Sequence, residues 1–223
     1  MESALSGSIN AIKKLLAIQK WGKDAVKIKI CGLTTPADCE MVNEFPVQFA
    51  GMVLFYERSR RNLEPDAARM LLSMLRPDLQ TVAVTVSPTL EQLHQIEEMN
   101  FDILQVHGDL RPEVLRESRL PIWRAVNEGM RVSDCGSIKI DAVLMDGRTP
   151  GGGQRFDWTR KMEIPAGKKF VLAGGLRADN VAEGIRRFRP DIIDVSSGVE
   201  GTSGKDRRKL QEFIRQAAGV YYE

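Results

Sequence analysis

Val26-Lys-Ile-Lys-Ile-Cys-Gly32 is a short β-branched run that ends in a thiol and meets a glycine where a loop begins. The same signature, an apolar run closed by polar residues or glycine, recurs along the chain. It predicts strands at Val26–Cys31, Phe49–Phe55, Gln80–Val86, Asp102–His107, Pro121–Val126, Asp141–Asp146, Lys168–Gly174 and Asp191–Ser197. Between them lie patterns of helical period at Pro65–Met74, Thr89–Met99, Arg111–Glu117 and Asp179–Phe188, with Asp206–Ala218 closing the series. Pro36 and Pro65 suit the first helical position, where a missing N–H costs nothing. Eight strands alternating with helices imply an α/β fold with a parallel sheet. At 223 residues a single closed (β/α)8 TIM barrel is favoured over an open doubly wound sheet. Arg131–Lys139 is too short and mixed to read as a full helix.

The first 25 residues stand apart. Ile9, Ile12, Leu15 and Leu16 fall at helical spacing behind Ser8 as a cap. Residues 1–25 are therefore expected to form an amphipathic helical extension, and residues 26–223 the barrel domain. Lysines interrupt the apolar stretch and no small-residue cleavage site follows, unlike a secretory signal. Such a helix packs on its own barrel, on a partner subunit or on lipid; the first two suit its apolar stripe.

Composition narrows the function. The hydrophobic share is 43% and the charged share 28%, a globular balance that excludes a disordered chain. The net charge of +2 asks for neither nucleic acid nor an anionic membrane, so an anionic ligand must be caught locally. No apolar run approaches the about 20 residues that span a bilayer. Cys31, Cys39 and Cys135 are widely spaced, odd in number and without a histidine cluster; neither zinc nor a disulfide framework is indicated. Reduced thiols fit a cytoplasmic protein.

In a barrel of this kind chemistry gathers where the strands end. Those ends carry Cys31-Gly32, Gln105-Val-His-Gly-Asp109, Asp146, Gly174-Gly175 and Ser196-Ser197-Gly198. Cys31 alone also reads as a small buried hydrophobe, and Asp146 as a helix cap or a partner for Arg148. The last two loops give the clearest ligand signal. Gly174, Gly175, Ser196, Ser197 and Gly198 follow the seventh and eighth strands, where backbone N–H groups grip phosphate. Paired glycines also merely turn a chain, but two adjacent loops with serines favour phosphate.

Several motifs, in order and in register, resemble those of the phosphoribosylanthranilate isomerase family. They are Lys29-Ile-Cys-Gly-Leu-Thr34, Gln105-Val-His-Gly-Asp109, Val143-Leu-Met-Asp-Gly147 and Gly151-Gly-Gly-Gln-Arg-Phe-Asp-Trp158, followed by Ala173-Gly-Gly-Leu176 with Asn180 and by Asp194-Val-Ser-Ser-Gly-Val-Glu200. The resemblance runs from about Val26 to Ala218. It implies an Amadori rearrangement of N-(5-phosphoribosyl)anthranilate in tryptophan biosynthesis, with Cys31 as general base and Asp146 as general acid. It implies no cofactor and no metal, because the substrate nitrogen stabilises the charge, and a monomer or homodimer whose partner is the small-molecule substrate. Arg61 aligns with the arginine that faces the anthranilate carboxylate, and His107 is expected on that side. Both proton affinities need shifting: a free thiol is only about 3% ionised at pH 7 and gains from a nearby positive charge.

Strand alternation points Lys29 to the same side as Cys31, with Asp194 as its candidate acid partner. Three positions depart from the family pattern: Arg60 stands where proline is usual, Thr85 where an aromatic is usual, and Pro150–Gly153 lacks a threonine. Two other readings stay open at this point. One is another phosphosugar isomerase or epimerase on the same barrel, the other a non-catalytic phosphate-ligand binder.

Overall fold

The computed structural model describes residues 26–126, 137–146 and 164–220. The N-terminal extension, Cys135, Arg148 and the motif at Gly151–Trp158 lie outside these residues, as does most of the Arg131–Lys139 segment. The strands are β1 (Lys27–Cys31), β2 (Phe49–Leu54), β3 (Gln80–Val86), β4 (Ile103–His107), β5 (Ile122–Val126), β6 (Ile140–Met145), β7 (Lys169–Leu172) and β8 (Ile192–Val195). Each is parallel to its neighbours, and β1 pairs with both β2 and β8, so the sheet closes on itself. A further two-residue strand, Asn62–Leu63, pairs beside the end of β2; it is too short to be legible from alternation. The helices are α1 (Pro36–Asn43), α2 (Pro65–Met74), α3 (Leu90–Glu98), α4 (Pro112–Glu117), α5 (Val181–Phe188) and α6 (Arg207–Ala218). The strand and helix ends fall within two residues of the sequence expectation. β2 stops at Leu54 because Phe55 takes a left-handed backbone, φ 57°, which no strand continues through.

Local chemistry explains the helix starts. Thr35 and Thr89 each accept from the backbone N–H three residues on, and Asp38 and Gln92 return the bond to complete capping boxes. Proline opens α1, α2 and α4. No described helix is long and apolar enough to cross a membrane.

Alternation divides the sheet into two cores. One face packs Ile28, Ile30, Leu104, Val143 and Ile193 against the helices. The other fills the barrel with Phe49, Val82, Ile103, Trp123, Ala142, Val171 and Ile192. The Phe49 and Trp123 rings meet edge to face at 5.0 Å, a geometry that matches the edge of one ring to the face of the other. The interior is thus sealed below, and its upper layer carries Lys29, Cys31, Gln105, His107, Asp146 and Asp194, all buried.

Candidate active site

The carboxyl ends of the strands surround a cavity of about 600 Å³. Cys31, Arg61, His107, Asp146, Gly174, Gly175, Ser196 and Ser197 all line it, together with Gln105 and Asp194. Eight of the nine residues expected at the site therefore share one space. The ninth, Gly198, does not line it. A Cβ there would lie 1.9 Å from the Leu176 carbonyl oxygen, so Gly198 lets the β8 loop rest directly on the β7 loop. It sets the contact between the loops after β7 and β8.

Gly174 and Gly175 both hold positive φ, 81° and 67°, the conformation that spares glycine the Cβ penalty. Asn180 fixes their turn: its Nδ2 donates to the Gly175 carbonyl at 3.0 Å and its Oδ1 accepts from the Arg177 N–H at 2.8 Å. Ser196 leads into a single 3₁₀ turn, Ser197–Val199.

Cys31 ends β1, and Lys29 precedes it by two residues on the same face. Lys29 is fully buried, and its Nζ donates to Asp194 Oδ2 at 2.9 Å. Burial works against the Lys29 charge, yet Asp194 and the neighbouring Cys31 hold its proton affinity above that of an ordinary lysine. For Cys31 the balance goes the other way. Burial pushes the thiol up, Asp194 adds to that, and Lys29 and Lys205 only partly offset it. The positive neighbour expected from the sequence is present, but desolvation outweighs it.

Arg61 reaches the site from the loop after β2. Its Nε and Nη2 donate to both carboxylate oxygens of Glu200, at 2.6 and 2.9 Å. Arg60 and Lys205 donate to the same carboxylate, at 2.5 and 3.0 Å. Burial alone would raise the proton affinity of Glu200; Arg61 and Lys205 overcome it and bring the pKa down to about 2. Nη1 of Arg61 makes no hydrogen bond among the described residues. Asp38 on α1 ties this cluster to the first loop, accepting from the Lys205 N–H at 2.7 Å and from the Thr34 and Thr35 N–H groups at 2.9 and 3.1 Å.

His107 is held by Gln105, with Nε2 of each 2.8 Å apart. Burial, then the charges of Lys29 and Arg124, lower its pKa to about 3, so the ring is neutral. Gln105 Oε1, His107 Nδ1 and Asp194 Oδ1 are buried without a hydrogen-bond partner among the described residues, and all three residues face the cavity. Buried polar atoms are rarely left open unless a ligand or solvent meets them. Thr85 turns out of the cavity and gives its hydroxyl to the Gln105 carbonyl at 3.2 Å. Among the described residues no group of three His, Cys, Asp or Glu side chains is placed to hold a metal ion.

Comparison with known proteins agrees with this geometry. The family described as N-(5'phosphoribosyl)anthranilate (PRA) isomerase matches residues 28–216. The chain belongs to the PRA isomerase family. A PRA isomerase from Acetivibrio thermocellus is 36% identical over 217 residues, covering 86% of this chain and 97% of its own. The crystal structure of a PRA isomerase from Thermus thermophilus superposes with a TM-score of 0.78 at 27% identity, covering 88% of this chain and all of its own. A further PRA isomerase structure, in complex with reduced 1-(o-carboxyphenylamino)-1-deoxyribulose 5-phosphate, superposes at 0.71 with 29% identity over 87% of this chain and 100% of its own.

Glu200, Lys205 and Asp38 were not legible as site residues in the sequence. Glu200 closes the quoted Asp194–Glu200 motif, so its position was visible, but its partners lie 139 and 140 residues away at Arg61 and Arg60. Asp38 showed only as a helix-start residue, and its bond to Lys205 spans 167 residues.

Proposed function

We propose that this chain rearranges N-(5-phosphoribosyl)anthranilate to 1-(2-carboxyphenylamino)-1-deoxyribulose 5-phosphate in tryptophan biosynthesis, with Cys31 as general base and Asp146 as general acid. One observation carries the assignment of roles: a thiol and a carboxyl group from β1 and the end of β6 open on one cavity, beside the two glycine loops after β7 and β8.

The chemistry follows from that arrangement. Asp146 delivers a proton to the ribose ring oxygen as the C1–O bond breaks, and the anilino nitrogen's lone pair forms the C1=N iminium. The iminium acidifies the C2 hydrogen and places positive charge near the sulfur. Cys31, as thiolate, takes the C2 proton, and the C–H electron pair moves to make the enolamine. Tautomerisation of the enolamine to the ketone completes an isomerisation in which no atom is gained or lost. A positioned acid or base contributes about 10²–10⁴-fold each.

The remaining residues bind. The phosphate rests on the Gly174-Gly175 loop and on the N–H groups of Ser196 and Ser197, which Gly198 allows to approach. Arg61, oriented by Glu200, offers Nη1 to the anthranilate carboxylate. Neutral His107 and Gln105 offer hydrogen bonds without competing for the transferred protons. The relative that holds a reduced product analogue supports a ligand of this chemistry. The free thiols Cys31 and Cys39 support a reducing compartment such as the cytoplasm. The test is direct: purified protein consumes phosphoribosylanthranilate, seen as falling anthranilate fluorescence. Binding of the product analogue without turnover would overturn the assignment in favour of a non-catalytic binder.

A further inference from the structure

Lys29 is a fully buried charge that the acid–base scheme leaves without a task. A well-packed apolar side chain of similar volume often serves stability as well as a buried ion pair or better, so stability alone is a weak reason for an ammonium inside the barrel. Its surroundings give a stronger one. Lys29 and Cys31 point the same way from β1, and β2 puts Gly51 directly beside Cys31 in the parallel register. A Cβ built on Gly51 would lie 3.1 Å from the Cys31 sulfur and 3.1 Å from Lys29 Nζ. The glycine therefore clears the space in which ammonium and sulfur meet. Across β1, Asp194 is the register partner of Lys29 and anchors the ammonium at 2.9 Å.

We propose that Lys29 is a positioning residue for Cys31: anchored on Asp194, its ammonium fixes the sulfur and stabilises the thiolate that takes the C2 proton. This rests on the reading of Cys31 as the base. The pair is tuned by opposition. Asp194 keeps Lys29 charged inside the barrel and at the same time disfavours the thiolate, so the two ends of one ion pair act on the sulfur in opposite senses. Among the described residues the charged groups facing the sulfur are Lys29 from β1, Asp194 from β8, Lys205 from the loop after β8, and Arg61 from the loop after β2; β2 places the uncharged Gly51 beside it.

This arrangement makes a prediction that structural damage does not imitate. Removing either member of one ion pair moves Cys31 in opposite directions. The pH dependence of iodoacetamide alkylation, read on the Cys31 peptide by mass spectrometry, gives the thiol pKa without reference to turnover. Lys29→Met is expected to raise it and Asp194→Asn to lower it, each by about one to two pH units, the usual effect of a charge in near contact. The alkaline limb of kcat/KM should move the same way in each variant. Should a single variant fail to fold because its partner is left buried and unpaired, the neutral pair Lys29→Met with Asp194→Asn removes both charges. Its alkylation pKa is expected above wild type, because the pull of Lys29 on the thiol exceeds the push of Asp194. Single variants that both move the pKa the same way, or a neutral pair that leaves it unchanged, would overturn the proposal whatever the turnover. Opposite alkylation shifts with a stationary kcat/KM limb would instead show that Cys31 is not the base, and the role of Lys29 in catalysis would fall with it.

Discussion

Arg61 grips Glu200 through two parallel hydrogen bonds, Nε to Oε1 at 2.6 Å and Nη2 to Oε2 at 2.9 Å. Among the described residues the fork geometry leaves one edge of the guanidinium without a partner, and Glu200 decides where that edge points. Lys205, whose side chain is fully buried, shares the carboxylate at 3.0 Å. Glu200 thus couples Arg61 at the cavity wall to the loop after β8 that carries Ser196 and Ser197.

Glu200→Gln keeps the shape but strands Arg61 and Lys205, and releases the more exposed Arg60. It is expected to cost about 2–3 kcal/mol of stability at neutral pH, toward the low end for breaking a buried pair, and to raise KM more than it lowers kcat. The stability cost should depend on pH. The Glu200 pKa of about 2 lies below the ordinary 4.5, so its contribution is whole above 4.5 and disappears as pH falls toward 2. Urea midpoints of wild type and variant should converge over that window; a constant difference would refute the coupling.

The two loops proposed to hold phosphate meet through a close contact between Gly198 and the Leu176 carbonyl. Gly198→Ala would drive a methyl group to 1.9 Å from the Leu176 carbonyl oxygen, and the two loops must part. Affinity for inorganic phosphate, measured by calorimetry, should fall by about tenfold or more, equivalent to about 1.4 kcal/mol. Gly175→Val should weaken it as well, since Gly175 holds φ 67° and a β-branched residue is strained there. Unchanged phosphate affinity in both variants would remove the site.

Much of this was written locally. Period-two alternation placed Lys29 on the Cys31 face and named Asp194 as its partner, and the 2.9 Å contact follows. Strand ends were legible because glycine or a left-handed residue interrupts the ladder there, as at Gly32 and Gly174. The Arg61–Glu200–Lys205–Asp38 cluster was not legible, because loop residues have no period and nothing local ties positions so far apart. The close approach of Gly198 to the Leu176 carbonyl was not legible either, because a contact between two loops leaves no mark in one dimension. A lysine near the thiol can be inferred from alternation, but the extent of burial that outweighs its charge cannot.

His107 should not titrate in the ordinary imidazole range. With its pKa lowered to about 3 by burial and by Lys29 and Arg124, its ring resonances should hold still while pH passes through 6.5, assigned by their loss in His107→Gln. The unfolded chain binds the proton that the folded ring refuses, so this residue makes stability fall as pH drops from about 6.5 toward about 3. A ring that titrates near 6.5 would place His107 in water rather than behind Gln105.

The proposed acid–base pair, Cys31 and Asp146, makes the sharpest kinetic prediction. Cys31→Ser replaces an ionisable thiol by a hydroxyl of nearly the same shape, and turnover should fall by about 10²–10⁴-fold with little change in product-analogue affinity. Asp146→Asn should lose turnover to a similar degree, since an amide delivers no proton to the ring oxygen. The pH profile carries more information than either variant. The reactive form needs the thiolate and the carboxylic acid together, although a thiol ordinarily titrates above a carboxyl group. That form holds the same number of protons as the resting pair, so its fraction stays constant between the two apparent pKa values. Activity falls only below the lower value and above the higher. Because burial lifts the Cys31 thiol above its ordinary 9.0, kcat/KM should run flat through neutral pH and decline only beyond pH 9. A decline that begins near neutrality would mean that the sulfur is exposed or strongly paired, contrary to its place in the barrel. A profile that is identical in Cys31→Ser would exclude the thiol as the group that takes the C2 proton.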